Sequence, residues 1–162
     1  MPLINSIISW FNVKRLHQIE LFKLYPGNVQ REVFTKIIQQ AKNTEWGKKY
    51  HYDEISTIQQ YQERVPIQTY EDIIPYVNRQ RAGEANILWP SDIKWFAKSS
   101  GTTSEKSKFI PVSSEALEEC HFRGGKDCLA LYTHSYPDSL VLRGKGLTLG
   151  GSQQINNFSN QS

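Results

Sequence analysis

Ile93-Lys94-Trp95-Phe96-Ala97-Lys98-Ser99-Ser100-Gly101-Thr102-Thr103-Ser104-Glu105-Lys106-Ser107-Lys108-Phe109-Ile110-Pro111-Val112-Ser113 is the stretch around which the rest of the chain is organised. An apolar run, Trp95-Phe96-Ala97, enters a block of hydroxyls, Ser99 to Ser104, and a second apolar run, Phe109 to Val112, leaves it. That alternation predicts strand, loop, strand. Gly101 lets the backbone turn sharply and approach a ligand closely. The hydroxyls and free backbone N–H groups can donate to anionic oxygens, and Lys106 and Lys108 add positive charge. The chemistry leaves two readings open, a phosphate cradle and a solvated hairpin loop. A Walker A loop is excluded, because Gly-x-x-x-x-Gly-Lys-Ser/Thr is absent.

These residues carry a resemblance. Ser99-Ser100-Gly101-Thr102-Thr103 followed by Lys108 resembles the phosphate-binding loop of the adenylate-forming, acyl-activating enzymes. Its surroundings are similar to one branch, the GH3 auxin-responsive acyl-acid amido synthetases and their bacterial relatives. Ile87-Leu88-Trp89-Pro90, Phe96-Ala97-Lys98, Lys108-Phe109-Ile110-Pro111, Gly124-Gly125-Lys126-Asp127 and Leu149-Gly150-Gly151-Ser152 read like that branch. The likeness runs from Thr44-Glu45-Trp46-Gly47 to the end of the chain. Where many members carry a second loop glycine, this chain has Ser104-Glu105.

The resemblance implies an α/β fold, the N-terminal part of an adenylate-forming enzyme. Residues 1–90 are expected to be mainly helical, and 91–162 to form strand, phosphate loop, strand, helix and strand. It implies ATP and Mg2+ as cofactors, and a small carboxylic acid and an amino acid as partners. The acid would be activated as an acyl-adenylate and then joined to the amine. Ser99, Ser100, Gly101, Thr102, Thr103, Ser104 and Lys108 are the expected phosphate-binding residues. No residue is marked as a catalytic acid or base. Family members are several times longer, so the chain is expected to be an N-terminal portion that does not turn over alone. A second reading of different class is a non-catalytic interaction module that docks a partner through amphipathic N-terminal helices.

Composition sets the frame. The chain has 162 residues, 38% hydrophobic and 22% charged, which is enough for a packed core. Its net charge of +3 gives no case for nucleic acid, and no like-charge run suggests a polybasic tail. Nothing approaches the ~20 apolar residues of a membrane span, and the start lacks the pattern of a signal peptide. Cys120 and Cys128 would lie about 12 Å apart on one helix, beyond the roughly 7 Å reach of a disulfide. Two buried thiols in a reducing cytoplasm are expected. With His121 and His134 they match no paired zinc spacing, and nothing marks Ser100 as a nucleophile of a Ser-His-Asp triad.

Helices are expected along the first half. Ile4, Ile7, Ile8, Phe11, Leu16, Ile19 and Phe22 fall at helical spacing. Tyr25-Pro26-Gly27-Asn28 reads as a turn in which Asn28 caps a second helix carrying Val29, Val33, Phe34, Ile37, Ile38 and Ala41. Ser56-Thr57-Ile58-Gln59 and Thr69-Tyr70-Glu71-Asp72 have capping-box spacing. Pro75 predicts a kink that splits the second of these helices. Arg79 and Arg81 fall in its exit loop, for which a solvated loop is the default reading, while the resemblance makes them candidate phosphate ligands. Trp46, Tyr50 and Tyr52 read as a loop packed over the core. Ser113 is a good N-cap for a last helix that buries Leu117, Cys120, Cys128, Leu131 and Tyr132. Gly124-Gly125 within it suggests close approach of another backbone or of a substrate. Leu147-Thr148-Leu149 reads as a buried strand.

Overall fold

The computed structural model of the protein describes residues 2–99, 107–141 and 145–147, without the side chains of 2–9 and 11. The described residues are mostly helical and carry one two-stranded antiparallel sheet, as expected for the N-terminal part of an adenylate-forming fold. They fall into two compact units, Glu20–Gly124 and a second made of Met1–Ile19 with Gly125–Ser162. No helix among them is long and apolar enough to cross a membrane.

Helix α1 (Pro2–Leu24) and helix α2 (Pro26–Ala41) are separated by Tyr25 alone. The expected turn is therefore absent. Pro26 sits at the first turn of α2, where its fixed φ suits the helix and its missing N–H is not needed. Asn28 is consequently inside the helix rather than capping it, and its Oδ1 accepts from Arg31 at 2.6 Å.

In the larger unit, α2 turns its Phe34, Ile38 and Ala41 face toward Tyr52 and Ile55. Ile38, Ala41, Tyr52 and Ile55 are buried, with Trp46, Tyr50, Tyr61, Val65 and Trp89 packed around them. Each large buried side chain contributes about 1.5–3 kcal/mol by leaving water. The Tyr61 ring meets Phe34 edge-on at 5.9 Å and Tyr52 at 6.0 Å. Burial, the largest cause, pushes the Tyr52 phenol well above its ordinary value. The aromatic cluster therefore packs on the core as expected, but from short helical turns rather than a loop, since Trp46 lies in a helix over Glu45–Lys49 and Tyr52 opens a 3-10 turn.

The link from α2 into α3 (Glu45–Lys49) is tight. Thr44 is fully buried; its hydroxyl donates to the Ala41 carbonyl at 2.7 Å and accepts from the Gly47 N–H at 2.9 Å. That is an N-cap made inside the core. A Cβ on Gly47 would lie 2.1 Å from the Ala41 carbonyl oxygen, so only glycine fits. Glu45 and Trp46 then donate their N–H groups to the carbonyls of Asn86 and Ile87, both at 3.0 Å. This places Ile87-Leu88-Trp89 against the core, with Ile87 itself buried.

Helix α4 (Ile58–Arg64) is capped by Thr57 and Gln60, one residue later than the Ser56–Gln59 pair that the sequence offered. The Gln60 side chain accepts from the N–H groups of both Ser56 and Thr57, so both candidates share one acceptor. Helix α5 (Tyr70–Arg81) starts as predicted, with the Asp72 carboxylate accepting from the Thr69 N–H at 2.8 Å and hydroxyl at 2.7 Å. The predicted break at Pro75 does not occur. Pro75 lies early in the helix, where it removes one hydrogen bond, to the carbonyl of Glu71, and the rest of the helix is kept by its packing.

Strands β1 (Trp95–Lys98) and β2 (Phe109–Val112) pair antiparallel, Trp95 opposite Val112 and Lys98 opposite Phe109. A helical stretch follows. Ser113 caps it, accepting from the Ala116 N–H at 3.1 Å, and it passes through α6 (Ser114–Ala116), a π-helical segment (Leu117–Phe122) and α7 (Arg123–Ser135). The π segment widens the turn, so a face counted at 3.6 residues per turn does not continue across it. Cys120 and Cys128 are therefore exposed instead of buried, and so are Leu131 and Tyr132. Buried residues of α7 are Ala130 and Thr133. In the smaller unit, Arg15 donates to both oxygens of Asp127, at 2.7 and 2.6 Å. Leu147 is exposed and outside any strand, and Thr148 and Leu149 lie outside the described residues.

Candidate phosphate-binding site

The hairpin ends in a clasp. Ser99 donates its N–H to the Lys108 carbonyl at 2.9 Å, and its Oγ accepts the Lys108 N–H at 2.9 Å. In a regular antiparallel pair the Ser99 carbonyl would take that second bond. The hydroxyl takes it instead, so at the last described pair of the hairpin a side chain replaces a backbone acceptor. The Ser99 hydroxyl keeps its own proton to donate. Ser100, Gly101, Thr102, Thr103 and Ser104 lie outside the described residues, as does Lys106. Of the seven expected phosphate-binding residues, the structure thus locates Ser99 and Lys108, side by side at the foot of the loop.

The exit of the loop is held from α5. Alternation along the register directs the N–H and C=O of Phe109 away from β1. Both meet the Tyr70 hydroxyl, which accepts from the Phe109 N–H at 2.8 Å and donates to its carbonyl at 3.3 Å. The Lys108 ammonium lies 5.6 Å from the centre of the Tyr70 ring. From the other end of α5 the Arg81 guanidinium stacks on the Phe109 ring at 4.0 Å. Pro111 occupies the next outward position of β2, where its missing N–H removes nothing from the ladder.

The two arginines singled out in the sequence part company. Both sit in the last turn of α5, not in the loop after it. Arg79 is bidentate to Glu45, at 2.8 and 2.7 Å, and also bonds both carboxylate oxygens of Glu84. Hydrogen bonding to Arg79 holds both carboxyls below their ordinary range, and the two carboxylates raise the guanidinium further above its own. With its charge answered twice, Arg79 is a structural tie and not a phosphate ligand. Arg81 stays beside the loop.

Glu115 ties the incoming segment to the helix that follows the hairpin. Its Oε2 accepts from Trp89 Nε1 at 3.2 Å and the Ser91 hydroxyl at 3.1 Å. Its own backbone N–H, then these side chains, hold its carboxyl below the usual range. A cavity of about 630 Å3 opens beside this tie, bounded by Trp89, Pro111, Ser113 and Ala116, with the Lys36–Glu119 ion pair (2.5 Å) along it. Tyr70 and Glu115 were not singled out as site residues in the sequence. Tyr70 meets its partner 39 residues away, and no local spacing signals that.

No group of three or more His, Cys, Asp or Glu side chains that could hold a metal occurs among the described residues. Magnesium does not require one, because it retains waters and binds chiefly through substrate phosphates with one or two protein oxygens. The donor set at the loop, hydroxyls, N–H groups and lysines, suits the phosphate oxygens.

Comparison with known proteins gives the same direction. The sequence model of the GH3 family N-terminal domain matches residues 15–159. The chain is 32% identical over 117 residues to indole-3-acetic acid-amido synthetase GH3.2 of Arabidopsis thaliana, covering 72% of this chain and 21% of that protein. It is 32% identical over 146 residues to jasmonoyl–L-amino acid synthetase JAR4 of Nicotiana attenuata, covering 86% of this chain and 24% of that one. Among solved structures, the GH3.15 acyl acid amido synthetase superposes with a TM-score of 0.64 at 28% identity, covering 74% of this chain and 22% of that one. The chain therefore spans about a fifth to a quarter of the length of these relatives.

Proposed function

As the chain belongs to the GH3 family, we propose that it supplies the triphosphate-binding part of an ATP-dependent ligase joining a carboxylic acid to an amino acid. On this reading residues 1–162 form the N-terminal portion of the large adenylate-forming domain. The ribose site, the acid site and the C-terminal domain belong to the remaining length of such an enzyme. The relatives are named for joining indole-3-acetic acid or jasmonate to amino acids, and a small carboxylic acid of that general kind is the expected first substrate. We place that reaction in the cytoplasm, where ATP is supplied.

Chemically, a carboxylate oxygen attacks the α-phosphorus of ATP, and the bond from that phosphorus to its bridging oxygen breaks. Pyrophosphate leaves with the electron pair, giving an acyl-adenylate. The amine then attacks the acyl carbon, loses a proton and displaces AMP. Charge accumulates on the departing pyrophosphate as the bond breaks. Donors already held in place stabilise it without reorganising. Ser99, Ser100, Thr102, Thr103 and Ser104 supply those donors, Gly101 the tight turn, and Lys108 the positive charge. Mg2+ bound with ATP would neutralise further phosphate charge. The observation that supports the reading is the clasp between Ser99 and Lys108, which brings together the two residues flanking the hydroxyl-rich segment, one of them a lysine.

Titration calorimetry of magnesium ATP against the chain tests it. Saturable binding is expected, and the double substitution Ser100→Ala with Thr102→Ala should weaken it by about tenfold or more, the loss of two hydrogen bonds. Equal binding by both proteins, or none by the unsubstituted chain, overturns the proposal. An interaction module working through its N-terminal helices would keep its partner after the same substitutions. ATP–pyrophosphate exchange by the chain alone is expected to be absent.

A further inference from the structure

We propose that Tyr70 is a positioning residue for the phosphate loop, its hydroxyl pinning the Phe109 backbone and so fixing where Lys108 and the loop's exit lie. The inference rests on the loop reading above and names a residue that the sequence motif does not contain.

Tyr70 is itself placed with little freedom. It is the first residue of α5, directly after Thr69, whose N–H and hydroxyl are both bonded to Asp72. Its hydroxyl then makes two bonds to one residue, accepting from the Phe109 N–H and donating to the Phe109 carbonyl. A tyrosine hydroxyl has this dual capacity and phenylalanine has none. In effect it acts as a neighbouring strand would, satisfying the outward pair of backbone groups on β2. The same ring lies under the Lys108 ammonium at 5.6 Å. One side chain therefore touches both the cation expected to face phosphate and the backbone just after it.

A second restraint comes from the far end of the helix. Tyr70 and Arg81 are eleven residues apart, about 16 Å along the axis, yet both reach Phe109. On the strand side, Ser99 holds both backbone groups of Lys108. Lys108 and Phe109 are thus gripped from β1 and from α5 at once. Holding donors where charge develops is the condition for stabilising it, and Tyr70 contributes to that without touching phosphate.

The test titrates inorganic tripolyphosphate into the full 162-residue chain and its Tyr70→Phe variant, with amide hydrogen exchange followed by NMR on both. Phenylalanine keeps the ring beneath Lys108 and removes the hydroxyl alone. Exchange at the Phe109 amide should speed up by about fivefold, the worth of one hydrogen bond, while the core amides of Ile38 and Ala41 hold their rates. Tripolyphosphate should bind about fivefold more weakly for the same reason. Faster exchange at Phe109 with unchanged tripolyphosphate affinity overturns the positioning role, and unchanged exchange at Phe109 overturns the latch. If the unsubstituted chain fails to bind tripolyphosphate, the loop reading falls and the positioning role falls with it, whatever the exchange shows.

Discussion

The hydroxyl of Ser99 takes the Lys108 N–H that the Ser99 carbonyl would take in a regular ladder, at 2.9 Å. A side chain thus stands in for backbone at the last described pair of the hairpin. Ser99→Ala leaves the Lys108 N–H without that partner, at about 1 kcal/mol. Melting should drop by roughly 2–4 °C for a chain of this size, with exchange at the Lys108 amide rising. Ser99→Thr keeps the hydroxyl and should keep both values. Equal melting and exchange in all three proteins would show that the clasp is idle.

Arg79 draws both Glu45 and Glu84 below their ordinary carboxyl value of 4.5. A carboxyl with a depressed folded-state value adds stability that is present above its unfolded value and lost as pH falls through the folded one. The contribution is therefore complete near neutrality and disappears in acid below pH 4.5. These groups are exposed, so the effect is modest and fades in high salt. Melting curves between pH 7 and pH 3 should fall less steeply for Arg79→Gln than for the unsubstituted chain. Tripolyphosphate affinity should be unaffected by that substitution, because Arg79 is already engaged by two carboxylates.

Gly47→Ala puts a methyl group 2.1 Å from the Ala41 carbonyl oxygen, which is backbone and cannot swing away. Overpacking of this kind costs about 1–3 kcal/mol. The thermal midpoint should fall by several degrees, with the loss concentrated in the core around Thr44. A variant that melts with the unsubstituted chain would mean that the Ala41–Gly47 contact is looser than described.

Gly124→Ala and Gly125→Ala act in the opposite sense. Among the described residues a Cβ at either position meets nothing within 4 Å, so no described backbone makes the close approach that was one of the two reasons expected for this pair. Each substitution should stabilise α7 by about 0.8–1 kcal/mol, read as a higher melting temperature and greater helicity by circular dichroism. A fall in stability at either position would point to a neighbour at this glycine pair.

Cys120 and Cys128 are both exposed and unbridged. Titration with an aromatic disulfide reagent, without denaturant, should release two equivalents of thiolate. Fewer than two would place one thiol in the protected setting that the sequence implied.

What could be read from the sequence followed how local the cause was. Both strands, the Ser113 cap and the start of α5 at Thr69 were legible, because alternation and capping act within a few residues. The capping pair of α4 was displaced by one residue, since two adjacent hydroxyls competed for one glutamine. Continuation of α5 through Pro75 was not legible, as packing of the whole helix outweighed one lost hydrogen bond. The exposed face of the last helix was misread because the π segment shifts the count of residues per turn. In the candidate site, Ser99 and Lys108 were named from the motif and do meet. The Tyr70 contact, formed across 39 residues, leaves no trace in spacing. Arg79 is set apart as a structural tie by Glu45 and Glu84, one of them 34 positions away.

Strand β2 has no outward N–H left to offer. That of Phe109 is taken by Tyr70, and Pro111 never had one. A further strand would find no backbone donor on that side of β2. One phenol and one imino acid thus make the Trp95–Lys98 edge the better-equipped side for any polypeptide that enlarges this sheet.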